Sequence, residues 1–289
     1  MIPIEELAAL IHPAKGKQKL MVMWGFNSDL SYDGSPPGNA SGHRHSPRTY
    51  VVAGILAKAE EWALIGDRWE SVNSTFRVPR FHAAHLNGRT HEYEGWTRQK
   101  AKEYSEALLG AMNANQVPLM VFVCGIFADQ YEAALSRQAK RKLGTPYRVC
   151  FNSCAALIAS TMDGAGIPEA DKFSVLLDRD DGYEDIQKSF HSMKDNVKFS
   201  HRARLGTCTP ASMDKVITLQ SADLVAYEWF KWLNTRGRGE GRIRPVLPPM
   251  IRRHVVIERY WDTKNLQLLR DQIESEPAED GQLIIIPPV

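Results

Sequence analysis

Apolar residues follow two rhythms along this chain. Unbroken apolar runs of strand length occur at 19–29, 49–57, 117–127 and 172–178, as expected of strands buried on both faces. Longer stretches with helical spacing lie at 58–72, 97–115, 146–166 and 217–233, the second capped by Thr97 and the third closed by glycines. Between them, 30–48 is rich in Gly, Pro, Ser and Asn and reads as a loop. Segment 77–96 is irregular and carries His82, His85 and His91, 234–249 is basic and loop-like, and "GQLIIIPPV" at 281–289 reads as a last strand or a docked tail. No internal repeat and no long linker interrupts the series. Interleaved strands and helices predict an α/β fold, a mixed β-sheet flanked by helices with a long insert. We read 1–289 as a single domain with its core at about 19–233 and a C-terminal extension at 234–289.

One residue breaks the pattern. In "ITLQSADLVAYEWFKWL" (217–233), Leu219, Ala226 and Phe230 fall four, three and four residues apart around Asp223. That spacing sets a carboxylate inside the apolar stripe, where an unpaired charge costs several kcal/mol or is forced neutral. Two predicted strands also end in acids, Asp29 and Asp178, and ligands in open α/β sheets collect at the carboxyl ends of strands. An acid there also serves as a turn former or helix cap, and an arginine partner would equally satisfy Asp223. If the three acids meet, Mg²⁺ or Mn²⁺ would offset them, since hard cations bind through a few carboxylates completed by water. Two such ions can clamp the attacking and leaving oxygens of a phosphodiester.

Composition narrows the field. The 289 residues are 43% hydrophobic and 24% charged with a formal net charge of +2, so no global field marks a polyanion binder and only local clusters can. Cys124, Cys150, Cys154 and Cys208 form no CxxC pair and share no zinc-like spacing with histidine, so they read as buried free thiols in a reducing cytoplasm. The N-terminus is a poor signal peptide, and no apolar run is long enough to span a membrane.

The motif "LQSADLVAYE" (219–228) resembles the C-terminal signature of the domain-of-unknown-function 3800 family, whose fold is ribonuclease-H-like. "DLSYDGS" (29–35) resembles the family's Asp-Glu-Ser-Gly-like first motif. "TYVVAGILAKAEEW", "RFHAAHL", "YEGW" and "PYRVCFNSC" resemble further segments in the family's order. The resemblance runs from about residue 19 to about residue 233. It implies a metal-dependent nuclease in which Asp29, Asp178 and Asp223 hold Mg²⁺ or Mn²⁺ and water is the nucleophile. It also favours a functional role for His82 and admits Glu94 as a fourth metal acid, although Glu94 can instead serve the helix start beside Thr97. The first motif departs from the family: Asp29-Leu30-Ser31-Tyr32 keeps Asp and Ser but lacks Glu and Gly. In an ungapped register Asn27 takes the aspartate position, which weakens a metal site; we favour Asp29.

His82 and its neighbours His85 and His91 suit leaving-group assistance or phosphate contact, and equally suit packing. Asp180 and Asp181 follow Asp178 in a turn and are candidates for outer contacts, while Glu228 reads as structural. Basic clusters supply candidate nucleic-acid contacts at Arg141, Lys142, Arg202, Arg204, Arg236, Arg238 and Arg242, although such runs are usually solvated faces. Two other readings stay open: a catalytically silent protein that binds nucleic acid or a partner, and a carboxylate-pair hydrolase such as a glycosidase.

Overall fold

The computed structural model describes residues 3–11, 19–28, 49–114, 118–179, 183–237 and 245–275. Six strands are found among them: β1 (Leu20–Ser28), β2 (Thr49–Lys58), β3 (Met120–Phe127), β4 (Phe173–Asp178), β5 (Leu205–Ala211) and β6 (Val255–Trp261). They form one mixed sheet in the order β5–β4–β1–β2–β3–β6. β1, β2 and β3 make an antiparallel meander. β4 pairs parallel with β1, β5 with β4, and β6 with β3. Every strand except β2 therefore ends at the same edge of the sheet.

The sheet is covered on both faces, which is why its strands read as unbroken apolar runs. Alternate residues divide between two cores. Met21, Met23, Val51 and Leu176 belong to one, and Leu20, Val22, Val175 and Leu177 to the other. On the first face lie α1 (Ile4–Ile11), α2 (Ala59–Phe76), α4 (Arg98–Asn113), α9 (Leu219–Gly237) and α10 (Leu247–Arg253), with α3 (Ala83–Gly88) resting against α9. On the second lie α5 (Ala128–Ala134), α6 (Arg137–Leu143), α7 (Pro146–Gly164), α8 (Tyr183–Asp195) and α11 (Thr263–Ser275). Asp178 follows Leu176 by two residues, so the period of a strand carries it to the α9 face.

The predicted helices recur as α2, α4, α7 and α9, and Thr97 caps α4 by accepting a hydrogen bond from Lys100 N at 3.1 Å. Segment 77–96 is more ordered than expected, since it holds α3 and a 3-10 turn, His91–Tyr93. The expected loop at 234–249 is shorter: α9 runs on to Gly237 and α10 starts at Leu247. β5, β6, α10 and α11 were not expected. The tail at 281–289 lies outside the described residues. No helix among the described residues is long and apolar enough to cross a membrane.

A candidate acid site between α9, β4 and the histidine segment

Asp223 sits in the second turn of α9 and is 4% exposed. Its Oδ2 accepts a hydrogen bond from Ala83 N at 2.8 Å, so the first residue of α3 is tied to the acid. Burial is the main influence on this carboxyl and pushes its pKa up from 3.8 to about 6. The Ala83 N–H works against that rise, and the charge of Asp178 adds to it.

Asp178 ends β4, half-buried, and its Oδ1 accepts from Met213 N at 3.3 Å. Its pKa is also raised, chiefly by burial; the Met213 and Arg179 N–H groups and the Arg80 guanidinium oppose the rise, and Asp214 reinforces it. Arg80 is itself 40% exposed and lies 3.4 Å from Asp214. Two carboxyls from separate elements thus share one face of the sheet, each less comfortable as an anion than it would be in water.

The segment before α3 is held residue by residue. Phe81 N donates to Gln220 Oε1 at 3.0 Å, His82 N to the Tyr93 hydroxyl at 3.3 Å, and Ala83 N to Asp223. This places His82 Nδ1 3.8 Å from Asp223 Oδ2, beyond hydrogen-bonding reach. The His82 ring stacks on His85 with centroids 4.1 Å apart, and His85 stacks on His91 at 4.0 Å. His91 takes part from the left-handed region, at φ 54°. Burial, then the Arg80 charge, lowers the His82 pKa, so at neutral pH the ring is a neutral imidazole rather than a phosphate-binding cation. His85 is also lowered, first by burial and then by His82, while its Nδ1 lies 3.5 Å from Glu92 Oε2.

The other candidates are placed elsewhere. Glu94 is exposed just past the 3-10 turn, and it is Glu92 that turns inward to the histidines. Arg141 and Lys142 close α6 on the opposite face of the sheet from Asp223. Arg202 is exposed at the start of β5, the end remote from Asp178. Arg204 is buried: its guanidinium donates to Asp163 and to the carbonyls of Ile167, Pro168 and Asp171, which pins β5 to the end of α7 instead of offering a charge to solvent. Arg236 is exposed on the last turn of α9, with its guanidinium 5.3 Å from the centre of the Trp232 ring. Asp29, Asp180, Asp181, Arg238 and Arg242 lie outside the described residues. Asn27 pairs with Val51 across the β1–β2 ladder.

The donor chemistry suits a hard divalent cation, because two oxygen ligands that disfavour each other as anions are what such an ion relieves. Among the described residues no three His, Cys, Asp or Glu side chains are gathered to hold a metal unaided. An ion held by Asp178 and Asp223 would complete its coordination with water oxygens. Sequence reading missed Arg80, Glu92 and Gln220. Gln220 did carry a signal, since it lies three residues before Asp223 on the same apolar stripe.

No family model, no curated protein and no solved structure matches this chain.

Proposed function

We propose that this protein is a metal-dependent nuclease with a ribonuclease-H-like fold, related to the domain-of-unknown-function 3800 family. The reading is carried by one observation: half-buried Asp178 and buried Asp223 share one face of the sheet and both are pushed toward their neutral forms. A three-stranded meander extended by parallel strands, with an acid at the carboxyl end of β4, supports the fold assignment.

Mg²⁺ or Mn²⁺, when bound, would stabilise charge developing on a phosphodiester. The chain's own residues do the rest. Asp178 and Asp223 would hold the cation, oriented by the N–H groups of Met213 and Ala83. Arg80, exposed and close enough to influence both acids, meets a phosphate oxygen. Water is the nucleophile, neutral His82 accepts the proton it releases, and the leaving oxygen takes its proton from solvent. Of the described basic residues, Arg236 remains a contact for a passing phosphate backbone, together with Arg238 and Arg242 that follow it in the sequence. Four buried free cysteines support a reducing, cytoplasmic setting.

The test is cleavage of single- and double-stranded DNA and RNA oligonucleotides with Mn²⁺. We expect Asp223→Asn and Asp178→Asn each to abolish cleavage while keeping the wild-type circular dichroism spectrum. Cleavage by Asp223→Asn at the wild-type rate overturns the assignment. The catalytically silent reading is favoured by the absence of a third gathered ligand among the described residues. It prevails if the wild-type protein binds oligonucleotide but neither binds Mn²⁺ nor cuts.

A further inference from the structure

Gln220 lies one turn before Asp223 and is 2% exposed. Its Oε1 accepts from Trp69 Nε1 at 3.0 Å, Asn73 Nδ2 at 3.2 Å and Phe81 N at 3.0 Å, and its Nε2 donates to Met213 O at 3.1 Å. The amide orientation follows from its partners: an indole N–H and a backbone N–H only donate, and a backbone carbonyl only accepts. Two of these four bonds anchor α9 to α2. The other two reach the two backbone segments that serve the acids. Phe81 stands two residues before Ala83, whose N–H binds Asp223, and Met213 gives its own N–H to Asp178.

We propose that Gln220 is a positioning residue that fixes the two acids relative to each other, by clamping the 81–83 segment and residue 213 through one buried amide. This rests on reading Asp178 and Asp223 as one site. Asp223 enters on a helix and Asp178 on a strand, and both are steadied by N–H groups from connecting segments. Such segments are the mobile parts of a fold unless something buried ties them down. Gln220 touches neither carboxylate, so its effect passes through the backbone donors. Outer partners of this kind set ligand geometry and, when removed, weaken metal affinity about 10- to 100-fold.

The experiment uses the full chain. Gln220→Met nearly preserves volume and removes all four bonds. Trp69→Phe removes one donor to the same oxygen while leaving both acid-bearing arms intact. Amide hydrogen exchange at Ala83 and Met213 is followed without metal, and Mn²⁺ binding is titrated separately. We expect both amides to exchange at least about ten-fold faster in Gln220→Met, and Mn²⁺ affinity to fall at least about ten-fold. Trp69→Phe should lower thermal stability yet leave both readouts within about two-fold. Unchanged exchange in Gln220→Met, or equal acceleration in Trp69→Phe, overturns the proposal. If the wild-type protein binds no Mn²⁺, the metal reading fails alone and the amide exchange still decides the positioning role. Should Gln220→Met not fold, Gln220→Glu keeps an acceptor for Trp69, Asn73 and Phe81 but loses the donor to Met213. Met213 should then exchange faster while Ala83 stays protected, and protection at both overturns the clamp.

Discussion

Asp163 and Asp223 are acids of opposite design. Asp163, near the end of α7, accepts from both His201 and Arg204. Burial works against its ionised form, but those two hydrogen bonds outweigh it and its pKa is lowered. Asp223 is far more deeply buried, and that burial raises its pKa; its Oδ2 accepts from a backbone N–H, and the His82 imidazole stands 3.8 Å away. A carboxylate placed for stability is given cations. One beside a second acid, whose pKa stays raised despite the nearby Arg80 guanidinium, is placed for something that brings a cation along. Arg204 shows the same logic from the other side, since its buried charge has an acid and three carbonyls around it.

The largest expected effect breaks the stabilising half of this pair. Arg204→Met strands the carbonyls of Ile167, Pro168 and Asp171 that the guanidinium satisfies, and each buried acceptor left without its donor costs about 1–3 kcal/mol. Urea unfolding should show that loss, with Mn²⁺ affinity unchanged because Arg204 lies at the far end of β5 from Asp178. A loss below about 1 kcal/mol would mean that the network is ornamental.

The next effect has the opposite sign. Folding raises the Asp223 pKa, so between pH 3.8 and about 6 the folded form binds more protons than the unfolded chain, and stability falls as pH rises through that window. At pH 7 the ionised side chain costs the metal-free fold on the order of 2–3 kcal/mol. Asp223→Asn should therefore raise the melting temperature at pH 7 and leave it nearly unchanged at pH 4. Saturating Mn²⁺ should stabilise the wild type by about 2.7 kcal/mol at a hundred times its dissociation constant and leave Asp223→Asn unmoved. Melting curves with and without Mn²⁺ at the two pH values check both statements. A mutant less stable than the wild type at pH 7 contradicts this account of Asp223.

This contrast was only half legible in the sequence. Asp223 stood out because helical periodicity fixes its neighbours, and Asp178 because it closes an apolar run. The histidine segment was opaque for a physical reason. α3 has only six residues, and its N-cap, His82, makes no side-chain capping bond, so neither period nor cap announces it. The inward turn of Glu92 rather than Glu94 depends on a 3-10 turn that opens on left-handed His91, two residues after left-handed Arg89, and no propensity rule would place either there. β5 was hidden by Gly206 and Pro210, which weaken a strand pattern. Gly206 is nonetheless required, since a Cβ there would lie 2.8 Å from the Phe173 carbonyl oxygen and 2.7 Å from Ser174 Oγ. Arg204 read as part of a basic surface run because a charge alternating with small residues carries no sign of burial. Only the tertiary partners of Arg204 reveal it.

The smallest effect sharpens the comparison most cleanly, because it reverses the pH slope. The Asp163 pKa is lowered on folding, so its contribution to stability is present above the unfolded carboxyl pKa and fades as pH falls through the lower folded value. Asp163→Asn should thus destabilise the protein at pH 7 and converge on the wild type in acid, whereas Asp223→Asn stabilises at pH 7. The Asp163 side chain is 39% exposed, so solvent and salt screen its pairing and the expected loss is below about 1 kcal/mol, smaller still at high ionic strength. Paired chemical unfolding of the two mutants should give stability differences of opposite sign at pH 7; the Asp223 difference should shrink by pH 4, whereas the Asp163 difference should persist there and fade only below the unfolded carboxyl pKa of 3.8. Were both mutants to shift stability in the same direction at pH 7, Asp223 would be an ordinary structural acid. The distinction between a carboxylate kept for the fold and one kept for a cation would then be lost.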